Sequence, residues 1–73
     1  MTPEQLKEIM AKLDFTSADV AVVMGVTRRA VQLWLAGKTP VPTSVDIVLH
    51  AIFEGLLSIE WVEDRLVKSL QIA

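Results

Sequence analysis

The stretch from Thr16 to Pro42 constrains this chain more than any other. It reads T-S-A-D-V-A-V-V-M-G-V-T-R-R-A-V-Q-L-W-L-A-G-K-T-P-V-P. Two short apolar-periodic segments are joined by Met24-Gly25-Val26-Thr27, and Ala21 stands four residues before the glycine. A tight pair of helices needs small residues where the helices cross, a glycine at the turn and a polar cap before the second helix. All three requirements are met. The second segment opens on Arg28 and Arg29 and closes on Gly37-Lys38.

At about 100° per residue, Ala30, Val31 and Trp34 share one face of that second helix. The opposite face carries Arg29, Gln32 and Ala36, flanked by Arg28 and Leu33. These residue types suit a DNA major groove. Arginine pairs bidentately with guanine, glutamine with adenine, and leucine touches the thymine methyl. Ala36 is too small to hold the helix out of a groove. Thr27 is the expected N-cap, and its hydroxyl and the first helical amides can meet a phosphate. Trp34, on the Val31 face, is expected in the core.

The segment resembles the helix-turn-helix of the phage repressor and Cro proteins and their bacterial regulator relatives. The likeness runs through Ser17, Val20, Ala21, Met24, Gly25, Val26, Thr27, Val31, Trp34, Gly37 and Lys38. It extends weakly to Ser58-Ile59-Glu60-Trp61-Val62, similar to the start of that family's fifth helix. The resemblance implies an all-α, five-helix repressor-like domain over residues 1–73, with the helix-turn-helix at about 17–36. It places base reading on Arg28, Arg29, Gln32 and Leu33. It places phosphate contacts on Ser17, Thr27, Lys38, Thr39 and the loop as far as Thr43. Two features depart from the pattern. Family members often carry a glutamate after the tryptophan position, paired with an arginine on the first helix; here Leu35 and Met10 stand there, so an apolar contact is expected to replace an ion pair. Val22 and Val23 occupy sites that are usually polar.

The remaining segments read as helices too. Thr2-Pro3-Glu4-Gln5 is a helix start with threonine cap, proline at the first position and glutamine three after the cap. Leu6, Ile9, Met10 and Leu13 give the first helix its apolar face, and Phe15 staples the next entry, capped by Thr16 or Ser17. The third helix is expected to stop at Gly37. Thr39-Pro40-Val41-Pro42 is an extended link, because residues before proline are pushed out of helix. C-terminal helices at about 44–70 are expected to serve the core and dimerisation. A fourth helix, capped by Thr43 or Ser44 with Asp46 near its positive end, runs to Gly55. It is apolar nearly all round, which predicts a central, mostly buried element. Ser58 caps a fifth helix with Ile59, Val62, Leu66 and Leu70 on one face. Trp61, Arg65 and Lys68 lie nearly opposite and are the expected dimer surface.

Composition sets the remaining bounds. A chain of 73 residues buries only about 60% of its unfolded surface, yet 52% of these residues are hydrophobic. Apolar surface is therefore expected to meet a second copy. There is no cysteine and one histidine, so neither a disulfide nor a single-chain zinc site is expected. Nothing suggests a cofactor or a small-molecule ligand. His50 reads as a partly buried, hydrogen-bonded side chain, and Glu60, Glu63 and Asp64 as a solvated face, which leaves an enzyme without machinery. No apolar run approaches about 18 residues and no signal segment opens the chain; the reading is of a soluble, cytoplasmic protein with no membrane partner.

Net charge is −2, but it is unevenly placed. Residues 20–45 hold Arg28, Arg29 and Lys38 and no acid, whereas both flanking segments are net acidic. Cations therefore gather on the candidate reading element. Two functions fit. One is a sequence-specific double-stranded DNA-binding regulator, a homodimeric phage-like repressor on a palindromic operator. The other is a protein-interaction module, antitoxin-like or anti-regulator, that uses the same fold without reading DNA.

Overall fold

The computed structural model describes the backbone of residues 1–72 and the side chains of residues 1–68. Its elements are α1 (Pro3–Leu13), α2 (Ser17–Met24), α3 (Arg28–Leu35), α4 (Thr43–Phe53) and α5 (Ile59–Ile72). Among the described residues there is no strand, so the chain is all-α.

Helix starts follow from side chains that satisfy otherwise orphaned amides. Thr2 Oγ1 accepts from the Gln5 amide at 3.1 Å, and Gln5 Oε1 accepts from the Thr2 amide at 2.8 Å. Thr16 and Asp19 repeat the arrangement on α2, at 3.2 and 2.8 Å. Thr27 accepts from the Ala30 amide at 3.1 Å, and Ser58 from the Trp61 amide at 3.0 Å. α4 differs from the expectation. It begins at Thr43, Pro42 holds the N-cap position, and no side chain closes its first turn. Pro42 sits at φ −60°, ψ 145°, and its carbonyl accepts from the Val45 amide at 3.0 Å. The ring has thus set the entry angle, and Thr43 is already helical.

The ends of α1 to α4 share one solution. The chain turns through a left-handed residue whose following amide reaches back into the last turn. At α2 that residue is Gly25 (φ 67°), and the Val26 amide donates to the Ala21 carbonyl at 3.0 Å. At α3 it is Gly37 (φ 74°), with the Lys38 amide on the Leu33 carbonyl at 3.0 Å. At α1 an aspartate takes the strained position: Asp14 has φ 57°, and the Phe15 amide donates to Met10 at 2.8 Å.

The core joins four helices. Leu6, Ile9 and Met10 of α1 meet Val20 and Ala21 of α2, Val31 and Trp34 of α3, and Val45 and Leu49 of α4. Leu13, Phe15, Met24, Ala30 and Leu35 pack against this cluster from partly buried positions. Met10 lies in the core and Leu35 packs against it, so that region is apolar, as Met10 and Leu35 led one to expect.

α4 is not the buried centre that its composition suggested. It buries one stripe, Val45, Leu49 and Ile52, and leaves Ile47 64% and Phe53 47% exposed. The reason is position. α1 packs on both α3 and α4, whereas α5 rests on α2, so Ile47, on the side of α4 opposite Leu49, is left uncovered, while Phe53 lies at the α1 edge with the Lys12 ammonium 5.4 Å from its ring centre. His50 shares this exposure. Its Nδ1 lies 2.9 Å from the Asp46 carbonyl oxygen and 2.7 Å from Asp46 Oδ1, in a polar groove with Gln5, Glu8 and Lys12. On α5, Val62 is buried and Leu66 half-buried, but Ile59 is 39% exposed; the Leu70 side chain lies outside the described residues.

Candidate nucleic-acid interface

α2 and α3 are joined by Gly25, Val26 and Thr27 alone. Gly25 provides the left-handed turn without a Cβ penalty, and a Cβ built there would meet no atom within 4 Å. The glycine is therefore demanded by the backbone, not by crowding. Val20 and Ala21 on one side and Val31 and Trp34 on the other are all buried. These contacts fix α3 against α2 and turn its other face outward.

That outer face is the one the angular arithmetic selects. Arg28, Arg29, Gln32 and Ala36 are exposed, whereas Leu33 is half-buried. Of the four residues assigned to base reading, three thus stand free of the protein surface and the fourth lies at its edge. Arg28 and Arg29 fill the first turn of α3, where by helix geometry their amides have no carbonyl behind them. Thr27 is exposed, and while its Oγ1 accepts from the Ala30 amide its hydroxyl proton remains available to a further acceptor.

The residues assigned to phosphate are more scattered. Lys38, Thr39 and Thr43 are exposed and Ser17 is half-buried. The amides of Lys38 and Thr39 are directed to the Leu33 carbonyl, at 3.0 and 3.5 Å. Their backbones close α3, so only the side chains can serve a ligand. Ser17 opens α2 but does not cap it, since Thr16 does. Val26 is 38% exposed on the turn itself.

Electrostatics single out α3. α1, α2, α4 and α5 each carry an acid in the first turn, namely Glu4, Asp19, Asp46 and Glu60. Carboxylates there complement the positive end of the helix dipole. Hydrogen bonds from the Thr16 backbone and then its side chain hold the Asp19 carboxyl below its ordinary pKa. α3 has no acid in its first turn and two arginines instead, so like charges stack at its start. The ion pairs among the described residues, Lys12 with Glu8, His50 with Asp46 and Lys68 with Asp64, do not involve Arg28, Arg29 or Lys38.

The surface expected to meet a second copy lies on α5. Trp61 is 53% exposed, and the Arg65 guanidinium stands 5.8 Å from its ring centre. Lys68 Nζ lies 3.0 Å from Asp64 Oδ2. Trp61 does not point wholly away from the fold: it rims a depression with Val23, Val48, Leu57, Val62 and Leu66. A second cleft, between α2 and α5, is lined by Phe15, Val22, Val23 and Ile59, with Asp19 and Glu63 at its edge. Among the described residues no helix is long and apolar enough to cross a membrane. Compared with protein-family models, curated proteins and solved structures, the chain matches none.

Proposed function

We propose that this protein is a sequence-specific double-stranded DNA-binding regulator of the repressor-like helix-turn-helix kind, with α2 and α3 as its helix-turn-helix. α3 enters the major groove. Arg28, Arg29, Gln32 and Leu33 meet base edges, and Thr27, Ser17, Lys38, Thr39 and Thr43 meet the backbone on either side. It acts as a homodimer on a palindromic operator in the cytoplasm, as a repressor.

One observation carries this reading: α3 alone among the five helices opens on cations. Two arginines at a positive helix end cost the free protein stability. An anion laid against that end removes the conflict, and a run of phosphates beside a guanine-rich edge supplies several. Local rules are broken where function needs it.

Selection from a random duplex library tests the proposal. The expected product is a site with two-fold symmetry, its halves about 34 Å apart. Failure to enrich any sequence would overturn it. A second reading, the protein-interaction module, draws on the exposed Val22, Trp61 and Leu56. It expects a protein ligand and no affinity for duplex DNA at any salt concentration.

A further inference from the structure

We infer that the cleft between α2 and α5 docks a basic amphipathic helix of another protein, with the apolar stripe of that helix on Val22, Val23 and Ile59 and its lysine or arginine side chains at Asp19 and Glu63. The inference goes beyond the DNA reading and does not rest on it, since no residue of α3 lines this cleft.

Asp19, Val22 and Val23 fall on the side of α2 away from the buried Val20 and Ala21. Ile59, Glu63 and Val67 recur every four residues and form one edge of α5. The cleft lies between these two surfaces, floored by the half-buried Phe15, Val23 and Leu66. Its volume is about 170 Å³, room for roughly one aromatic ring or leucine-sized side chain. Val22 is 61% exposed on one wall and Ile59 39% on the other, so both keep apolar surface that this chain does not cover. Scattered exposed aliphatic residues are ordinary, but these two flank one concavity.

The lining discriminates among occupants. Both walls are helices, and there is no strand among the described residues. An extended peptide would find no free backbone groups along such walls, whereas a helix pairs its own and offers side chains alone. The charged residues of the lining, Asp19 and Glu63, are both acids. Glu60 precedes Glu63 by one turn, and no ion pair among the described residues engages any of the three. The Thr16 amide and hydroxyl both donate to Asp19 Oδ2, at 2.8 and 3.0 Å. They hold the carboxyl below its ordinary pKa without bringing a positive charge. The rim thus repels phosphate, anionic lipid and the same cleft of a second copy. Lysine or arginine on either side of an apolar stripe complements both the rim and the floor.

The probe is a fluorescent leucine–lysine peptide, about 15 residues long so that it can form a helix, with its leucines at helical spacing on one face. Binding is read by anisotropy. Two companion peptides carry glutamate in place of lysine, or serine in place of leucine. The wild-type protein is expected to bind the leucine–lysine peptide roughly tenfold more tightly than either companion. Val22→Lys, at an exposed position, is expected to weaken that binding roughly tenfold with unchanged helical circular dichroism. Glu63→Lys is expected to weaken the leucine–lysine peptide and to strengthen the leucine–glutamate one, an exchange that separates a lost contact from a lost fold. Absence of binding by the wild type overturns the inference, as do variants that bind as the wild type does. Equal binding of the serine–lysine peptide reduces the interaction to net charge and overturns it too. Sedimentation without peptide covers the second copy: a wild-type dimer that Val22→Lys dissociates would assign the cleft to self-association instead. DNA selection on the wild type is a separate readout, so failure of the docking and failure of the DNA reading are distinguishable.

Discussion

Trp34 shows how one buried residue can hold a helix whose other face is turned outward. It is 6% exposed and lies between α3 and the rest of the core, while its helical neighbour Leu33 borders the outward face. Trp34→Ala should cost about 3–5 kcal/mol, a large part of what a small domain possesses. Urea unfolding checks this; a fully stable variant with only a DNA defect would place Trp34 at the interface instead. Two backbone positions are expected to respond in opposite senses. Gly25 sits at φ 67°, so Gly25→Ala should destabilise by about 1 kcal/mol through its backbone alone, since nothing lies near enough to clash. Asp14 holds φ 57°, and Asp14→Gly should stabilise by about 0.5–1 kcal/mol. On the outer face, Arg29→Ala should relax base preference at one position by about 1–3 kcal/mol, whereas Lys38→Ala should weaken all duplexes alike. Equal loss on every sequence for Arg29→Ala would remove it from base reading.

Among the elements, α2 carries the clearest pH dependence. The Asp19 carboxyl is held below its ordinary pKa by hydrogen bonds from Thr16, the backbone one first. A carboxylate of lowered folded pKa stabilises fully above its unfolded value, about 4. That contribution is lost as pH falls through the lowered value. Thermal melts of wild type should therefore lose more Tm on acidification below about pH 4 than melts of Asp19→Asn; equal acid slopes would show that the cap is not coupled to folding. The helix starts at Thr2, Thr16, Thr27 and Ser58 were legible in the sequence because each depends on a side chain that names itself. The start of α4 was not, because Pro42 acts through its ring and carbonyl and offers no side-chain acceptor. The burial of α4 was misread for a related reason. Ile47 has the composition of core, but which side of a helix its neighbours reach is decided by how α1 and α5 are placed. The exposure of Arg28, Arg29 and Gln32 followed from angular arithmetic once Val31 and Trp34 were assigned inward. Any ligand of those three would belong to a second molecule, and no single chain encodes it.

For the molecule as a whole, the acidic balance and the basic α3 region turn the proposed DNA reading into a quantitative claim about salt. Arg28, Arg29 and Lys38 are the only cations between residues 20 and 45, and the segments on both sides are net acidic. Acid elsewhere repels the phosphate backbone at long range, so affinity for arbitrary duplex should be low and specificity correspondingly high. The same three cations bound the ion release. Each phosphate neutralised contributes about −0.9 to the slope of log K against log salt. Two copies with three cations each therefore cannot exceed a slope of about −5, and a single copy about −3. Fluorescence anisotropy of a labelled operator, titrated between about 50 and 200 mM salt, measures the value directly. A slope between about −3 and −5 is expected for wild type. A slope near zero would exclude contact between this charge set and DNA. A slope near −10 would demand cations that lie outside the α3 region, and the assignment of phosphate contacts to Thr27, Lys38 and their neighbours would fail with it.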